Sequence, residues 1–355
     1  MMNKFKGKLY ETSVKFPDTD IWIDSCGEKE LDYALERGSV GATSNPVIIS
    51  AVVKQELPYW GPIIKKLVAE DPTYTEDEIT WALIDEVGRE RSKKLLPVFE
   101  AFHGKKGRLS IQTNAKYFRS AKKMLEQAIH LNTLGENMQV KIPASAAGIK
   151  AMEEATYHGI SINATVCFTV PQAIAVAEAV ENGLKRRKMH GLPIDGMAPI
   201  CTIMIGRTDD WMKKAVKANE SIIDPECLEW AGVAVIKEAY RIYNKRGYTT
   251  RLLSAAYRNH YHWSQLIGGN LAMTIPFAWH KKLNACEIDV VSRIDEPVKH
   301  EYMEQLKRQP EFIKSFAENG MKPEEFVSYG AFRNTISGFI SGYDDFVKLI
   351  REYII

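Results

Sequence analysis

Met138-Gln-Val-Lys-Ile-Pro143 and, beyond a helical stretch, Ile160-Ser-Ile-Asn-Ala-Thr-Val-Cys-Phe168 decide the fold. Both are short segments in which apolar and polar residues alternate, the pattern of a strand with two different faces. Between them Ala146 to His158 has the spacing of an amphipathic helix, so the three pieces read as strand, helix, strand. The same alternation recurs along the chain. About eight candidate strands meet the test: Ile21 to Asp24, Val40 to Asn45, Arg108 to Thr113, Met138 to Pro143, Ile160 to Phe168, Pro199 to Ile205, Arg251 to Ala256 and Leu271 to Phe277. Helical patterns at Glu28 to Arg37, Ala115 to Asn132, Pro171 to Asn182 and Leu228 to Lys245 separate most of the others. This order predicts an α/β fold, a (β/α)8 TIM barrel, in preference to an open doubly wound sheet.

Two stretches fall outside the repeat. Val52 to Gly107 is long and charged with helical period, and predicts extra helices after the second strand. Val298 to Ile355 predicts further helices, packed outside the barrel or closing its mouth. The expectation is one decorated domain over residues 1–355, a length ordinary for a barrel with insertions.

Composition narrows the function classes. Lys+Arg 47 against Asp+Glu 45 gives a net charge of +2, too balanced for a dedicated nucleic-acid or membrane-surface protein. Met1 to Tyr10 lacks the apolar core of a signal peptide, and no apolar run approaches the roughly 20 residues that span a bilayer. The expected location is the cytoplasm. The five cysteines, Cys26, Cys167, Cys201, Cys227 and Cys286, contain no Cys-x-x-Cys pair and indicate neither a disulfide framework nor a zinc site.

In a barrel, polar residues on the inward set near a strand's C-terminal end are candidate chemistry. On the fifth strand Ile160, Ile162, Ala164 and Val166 form the outward apolar set and leave Ser161, Asn163 and Thr165 inside. On the fourth, Met138, Val140 and Ile142 face outward and put Gln139 and Lys141 inside. Desolvation would lower the pKa of such a lysine and leave a free amine able to form a Schiff base with a carbonyl. Alone, an inward lysine is more often paired with a carboxylate or exposed at a strand end. Its neighbours alter that balance. Asp24 ends the first strand, Asn45 ends the second before Pro46, and Gln112 lies near the end of the third. A carboxylate, an amine and several amides around one axis are poor core material, but they suit aldol chemistry, with Asp24 transferring a proton and Asn45 and Asn163 holding hydroxyls.

At these residues the sequence resembles the transaldolase family of class I aldolase barrels. The segments that carry the resemblance are Val40-Gly-Ala-Thr-Ser-Asn-Pro-Val-Ile-Ile49, Val140-Lys-Ile-Pro143, Gly159-Ile-Ser-Ile-Asn-Ala-Thr-Val-Cys-Phe168, Gly206-Arg-Thr-Asp-Asp-Trp211 and Ala256-Tyr-Arg-Asn259. The resemblance implies a Schiff base between Lys141 and a ketose phosphate, with Asp24 as acid/base and Asn45 and Asn163 positioning the intermediate. It further implies that Thr165 holds a catalytic water and that Arg207 and Arg258 bind the terminal phosphate. A dihydroxyacetone unit would pass to an aldose phosphate, as in the pentose phosphate pathway, with no metal or organic cofactor. The partners implied are small sugar phosphates; a homo-oligomer is left open.

The sequence also departs from the family. Gln112 stands where typical transaldolases have a glutamate, and an amide cannot exchange a proton at neutral pH. The related fructose-6-phosphate aldolases have glutamine there, which favours a lyase, but they also have a sixth-strand tyrosine where this chain has Met204. Ala256 replaces a phosphate-binding serine and Thr202 another serine, which raises a sulfonated ketose, 6-deoxy-6-sulfofructose, as an alternative substrate. A sugar-phosphate sensor without catalysis is the remaining alternative. Outside these motifs, His260-Tyr-His262 is read as a solvent or interface feature, Lys185-Arg-Arg-Lys188 as a solvated helix-to-loop insertion, and Gly268-Gly269 as a turn.

Overall fold

The computed structural model describes residues 6–355; Met1 to Phe5 of the segment read for a targeting signal lie outside them. Eight strands close a parallel barrel in sequence order: β1 (Thr19–Ile23), β2 (Gly41–Thr43), β3 (Arg108–Gln112), β4 (Met138–Pro143), β5 (Ile162–Cys167), β6 (Ile200–Ile203), β7 (Arg251–Ser254) and β8 (Leu271–Ile275). The fold is a (β/α)8 TIM barrel. No described helix is long and apolar enough to cross a membrane.

Alternation sorts the strand residues into two layers. Ile21, Ile23, Leu109, Ile111, Met138, Val140, Ile142, Ile162 and Ala164 join the outer core beneath the helices. Inside, Trp22, Ile200, Leu253 and Ala272 pack together and fill one side of the barrel with apolar volume. Gly41 faces this ring, where a Cβ would stand 2.4 Å from the Trp22 indole, so only glycine fits. The polar inward residues of β3 to β5 occupy the remaining interior.

The expected parity fails once. Val166 lies in β5 with φ +52, and the β5–β6 register shifts between Ala164 and Cys167. The extra residue turns Val166 toward the mouth, beside Phe168 and Met204, and returns Cys167 to the outer core. Val166 is therefore not part of the outward set.

Helix boundaries also move. Asn45 does not end β2 but caps the helix Pro46–Gln55, its Oδ1 accepting the N–H of Val47 and Ile48 at 2.9 and 3.0 Å. The stretch Ala115 to Asn132 divides into a 3-10 turn, Ala115–Tyr117, and the helix Ala121–Asn132, which Ser120 caps. Lys185-Arg-Arg-Lys188 is not in a helix-to-loop insertion; it lies in the helix Val170–Met189, where basic side chains complement the C-terminal dipole. Arg186 pairs there with Glu153 and Glu154, and Arg187 is buried against the carbonyls of Tyr157 and Pro193.

The segment after β2 forms the helices Pro46–Gln55, Leu57–Glu70, Glu76–Lys93 and Leu96–Ala101. The chain ends in the long helix Gly330–Arg351, which packs on Pro46–Gln55 and Glu76–Lys93. Its Tyr343 hydroxyl donates to Asp77 Oδ1 at 2.6 Å. Phe332, Ile336 and Phe339 of this helix meet Val166, Phe168 and Met204 from the strand ends, so the C-terminal helix closes the barrel mouth. Burying a side chain of this size contributes about 1.5–3 kcal/mol, enough to hold the helix there.

Candidate active site

Lys141 sits on β4 between Gln112 of β3 and Asn163 of β5, its direct partners in the barrel register. It is 5 % exposed, and among the described residues it forms no ion pair. Burial pushes its ammonium below the ordinary lysine range, while the charge of Asp24 acts in the opposite direction. Asp24 follows β1 directly, anchored by its N–H to the Ile275 carbonyl at 3.0 Å. Burial pushes its carboxyl up, against the lowering effects of Lys141, the Thr43 hydroxyl and Arg207. The two shifts bring the proton affinities of amine and acid together, so a proton can move between them and substrate at modest cost.

Two residues that sequence reasoning missed set the Asp24 carboxylate. Thr43 Oγ1 donates to Asp24 Oδ1 at 2.7 Å and lies 2.6 Å from Thr274 Oγ1. Since Thr43 has one hydroxyl proton, Thr274 must donate to it, which fixes a directed chain from β8 through β2 to Asp24. The signal for Thr274 was present: alternation in Leu271-Ala-Met-Thr-Ile275 turns it inward.

Gln112 is fully buried, and among the described residues neither its Nε2 nor its Oε1 has a hydrogen-bond partner. Thr165 Oγ1 is likewise buried and unpartnered. Unmade hydrogen bonds of this kind cost about 1–3 kcal/mol each. On both sides of the Lys141 strand they leave polar atoms that a polar guest could satisfy.

Asn163 is held from two directions: Thr202 Oγ1 donates to its Oδ1 at 2.6 Å, and its Nδ2 donates to Ser110 Oγ at 3.1 Å. Ser110 in turn donates to Gln139 Oε1 at 2.7 Å. Asn163 keeps one N–H and one lone pair for a ligand. Thr202 thus orients Asn163. Asn45 spends its oxygen on the helix cap and has its Nδ2 left to donate.

Arg207 stands in the first turn of the helix Ile205–Ala218, with its Nε buried and unpartnered and its guanidinium 5.6 Å from the Phe339 ring centroid. Burial and the charge of Arg258 hold its pKa below the ordinary arginine value. Arg258 is gripped by Asp210, with Nε–Oδ2 at 3.0 Å and Nη2–Oδ2 at 2.8 Å. Arg207, Asp210, Lys214 and Thr335 line a hollow of about 70 Å³ beside them. Ala256, half-buried near this cationic end, has φ +64. His262 lies at the surface in the sequence reading, but the structure buries it completely against Asp209, whereas His260 stays exposed.

Comparison with known proteins agrees with this geometry. A sequence model of the Transaldolase/Fructose-6-phosphate aldolase family matches residues 21–326. Transaldolase 2 of Streptomyces avermitilis is 28% identical over 242 residues, which cover 66% of this chain and 64% of that protein. Transaldolases of Arthrobacter sp. and Acidothermus cellulolyticus are 25% and 27% identical over 239 and 248 residues, each covering 65% of this chain. The matched part thus spans just under two thirds of these relatives, 64% and 63% of the latter two. The family match takes in all eight strands except the first residues of β1, together with every candidate site residue, and the chain belongs to the transaldolase/fructose-6-phosphate aldolase family.

Proposed function

We propose that the chain transfers a dihydroxyacetone unit from a ketose phosphate to an aldose phosphate through a Schiff base on Lys141. The single observation that carries this reading is a buried lysine that forms no ion pair among the described residues, flanked by Gln112 and Thr165, whose polar side-chain atoms have no partner among them. The neutral amine attacks the ketose carbonyl, and loss of water leaves an iminium. Asp24 takes the proton of the C4 hydroxyl as the C3–C4 bond breaks. The bond's electron pair passes into an enamine, and the aldehyde leaves. The enamine then attacks the acceptor's aldehyde carbon, Asp24 returns its proton to the new alkoxide, and water releases the product from Lys141. Gln112 and Thr165 hold the water that enters and leaves, Asn45 and Asn163 hold the sugar hydroxyls, and Arg207 and Arg258 neutralise the terminal anion by charge-assisted hydrogen bonds.

Borohydride reduction in the presence of fructose 6-phosphate, followed by peptide mass analysis, tests the covalent step. The expected product is a stable adduct on Lys141. Failure to trap one with either fructose 6-phosphate or 6-deoxy-6-sulfofructose would favour a sugar-phosphate sensor.

Gln112 supports a second reading, release of free dihydroxyacetone without an acceptor, because an amide cannot take the place of the family's glutamate in proton exchange. Incubation with fructose 6-phosphate, with and without erythrose 4-phosphate, separates the two: transfer needs the acceptor, release does not.

A further inference from the structure

We propose that Asp209 and His262 form a buried positioning pair that sets Arg258, the cation assigned above to the substrate's anionic end. The inference rests on that assignment. His262 Nε2 lies 2.7 Å from Asp209 Oδ2, and both side chains are fully buried. The other imidazole nitrogen, Nδ1, accepts the main-chain N–H of Arg258 at 3.1 Å. An accepting Nδ1 carries no proton, so the ring's proton sits on Nε2 and points at the carboxylate. Asp209 Oδ1 accepts the N–H of Gly232 at 2.7 Å, which ties the pair to the start of the helix Ala231–Arg246.

The pair thus links three pieces of chain: the helix Ile205–Ala218, the helix Ala231–Arg246 and the segment after β7. The next residue along the first helix, Asp210, grips the Arg258 guanidinium. Consecutive aspartates therefore hold one arginine, Asp210 by its side chain and Asp209, through His262, by its main chain. The segment they hold is under strain at Ala256, whose φ of +64 lies in the left-handed region that non-glycine residues rarely adopt. It is also pressed close: a Cβ on Gly206, beside Arg207, would stand 1.8 Å from the Ala256 carbonyl oxygen. A buried hydrogen bond between a carboxylate and a neutral imidazole contributes modestly to net stability, because folding exchanges it for hydrogen bonds to water. Here it holds Arg258 against Asp210, one helical turn along the same helix from Arg207, whose charge Arg258 feels, and a small displacement of such a group is enough to spoil binding.

The experiment is borohydride trapping on Lys141, titrated with fructose 6-phosphate and with fructose, which lacks the anion. His262→Leu is expected to raise the ratio of the two half-saturating concentrations, phosphorylated over unphosphorylated, about 10-fold. Asp209→Asn is expected to raise it in the same direction. His262→Asn, whose Oδ1 can take the place of Nδ1 as acceptor, is expected to restore most of the loss. Near-ultraviolet circular dichroism shows that each variant is folded, and if His262→Leu fails to fold, Asp209→Asn carries the test. An unchanged ratio in a folded variant, or no recovery with His262→Asn, overturns the positioning role. Arg258→Ala serves as the reference: if it leaves the ratio unchanged, Arg258 does not bind the anion, and the assignment on which the pair rests fails first.

Discussion

Gln112 on β3 and Lys141 on β4 are direct partners in the barrel register, and among the described residues both polar atoms of the Gln112 amide lack a hydrogen-bonding group. An amide so placed can orient a water beside the Schiff base proposed on Lys141 but cannot exchange its proton. Gln112→Glu supplies the missing acid/base and is expected to raise acceptor-dependent turnover by about 10²-fold, the lower bound for a positioned proton donor. Gln112→Leu is expected to leave the Lys141 adduct trappable and to slow turnover. Single-turnover kinetics with separate measurement of adduct formation checks both.

The Lys141 and Asp24 shifts predict a pH profile. Only the free amine attacks a carbonyl, so adduct formation rises with pH through the depressed Lys141 pKa and flattens above it. The Asp24 charge raises that pKa, and Asp24→Asn removes the charge. The rising limb in Asp24→Asn is therefore expected at lower pH than in the parent, even as cleavage is lost. Initial trapping rates measured across pH locate the limb; a shift to higher pH would contradict the assignment.

The Ala256 carbonyl accepts from Arg258 Nη1 at 3.3 Å, and if Arg258 binds the anion as proposed, a hydroxyl on residue 256 would add one donor there. Ala256→Ser is expected to lower the half-saturating fructose 6-phosphate concentration about 10-fold, the scale of a hydrogen bond to a charged group. The melting temperature is expected to stay close to the parent's, because alanine and serine meet the same demand at φ +64. Titration and thermal unfolding measure the two effects.

His280 predicts an acid-side loss of stability. It is fully buried, with Nε2 3.2 Å from the Trp22 carbonyl oxygen, and burial holds its pKa down at about 4 against an ordinary 6.5. The unfolded chain therefore binds more protons than the folded one between those values, and stability falls as pH drops through the window. The expected contribution is about 3 kcal/mol, from the shift at about 1.4 kcal/mol per pH unit. Urea unfolding between pH 7 and 4 is expected to show this slope reduced in His280→Gln.

The sequence by itself determined the barrel and the inward side of Lys141, Gln112 and Asn163, because strand alternation is a local property with a period of two. It also revealed the helical additions, whose periodicity is equally local. The rest needed the folded chain. Val166 broke the alternation because a bulge is defined by a neighbouring strand's register, which the residues of β5 do not carry. His262 was misread as a surface residue because its partner, Asp209, lies 53 positions away along the chain. The threonine chain behind Asp24 likewise joins β2 and β8, 231 positions apart, across the closing seam of the barrel. The closure of the mouth by Phe332 and Phe339 depends on where a C-terminal helix docks, which helical period alone cannot specify. Local pattern states which way a side chain faces; which group it meets there, or whether it meets none, is decided only when distant strands and helices are brought into register.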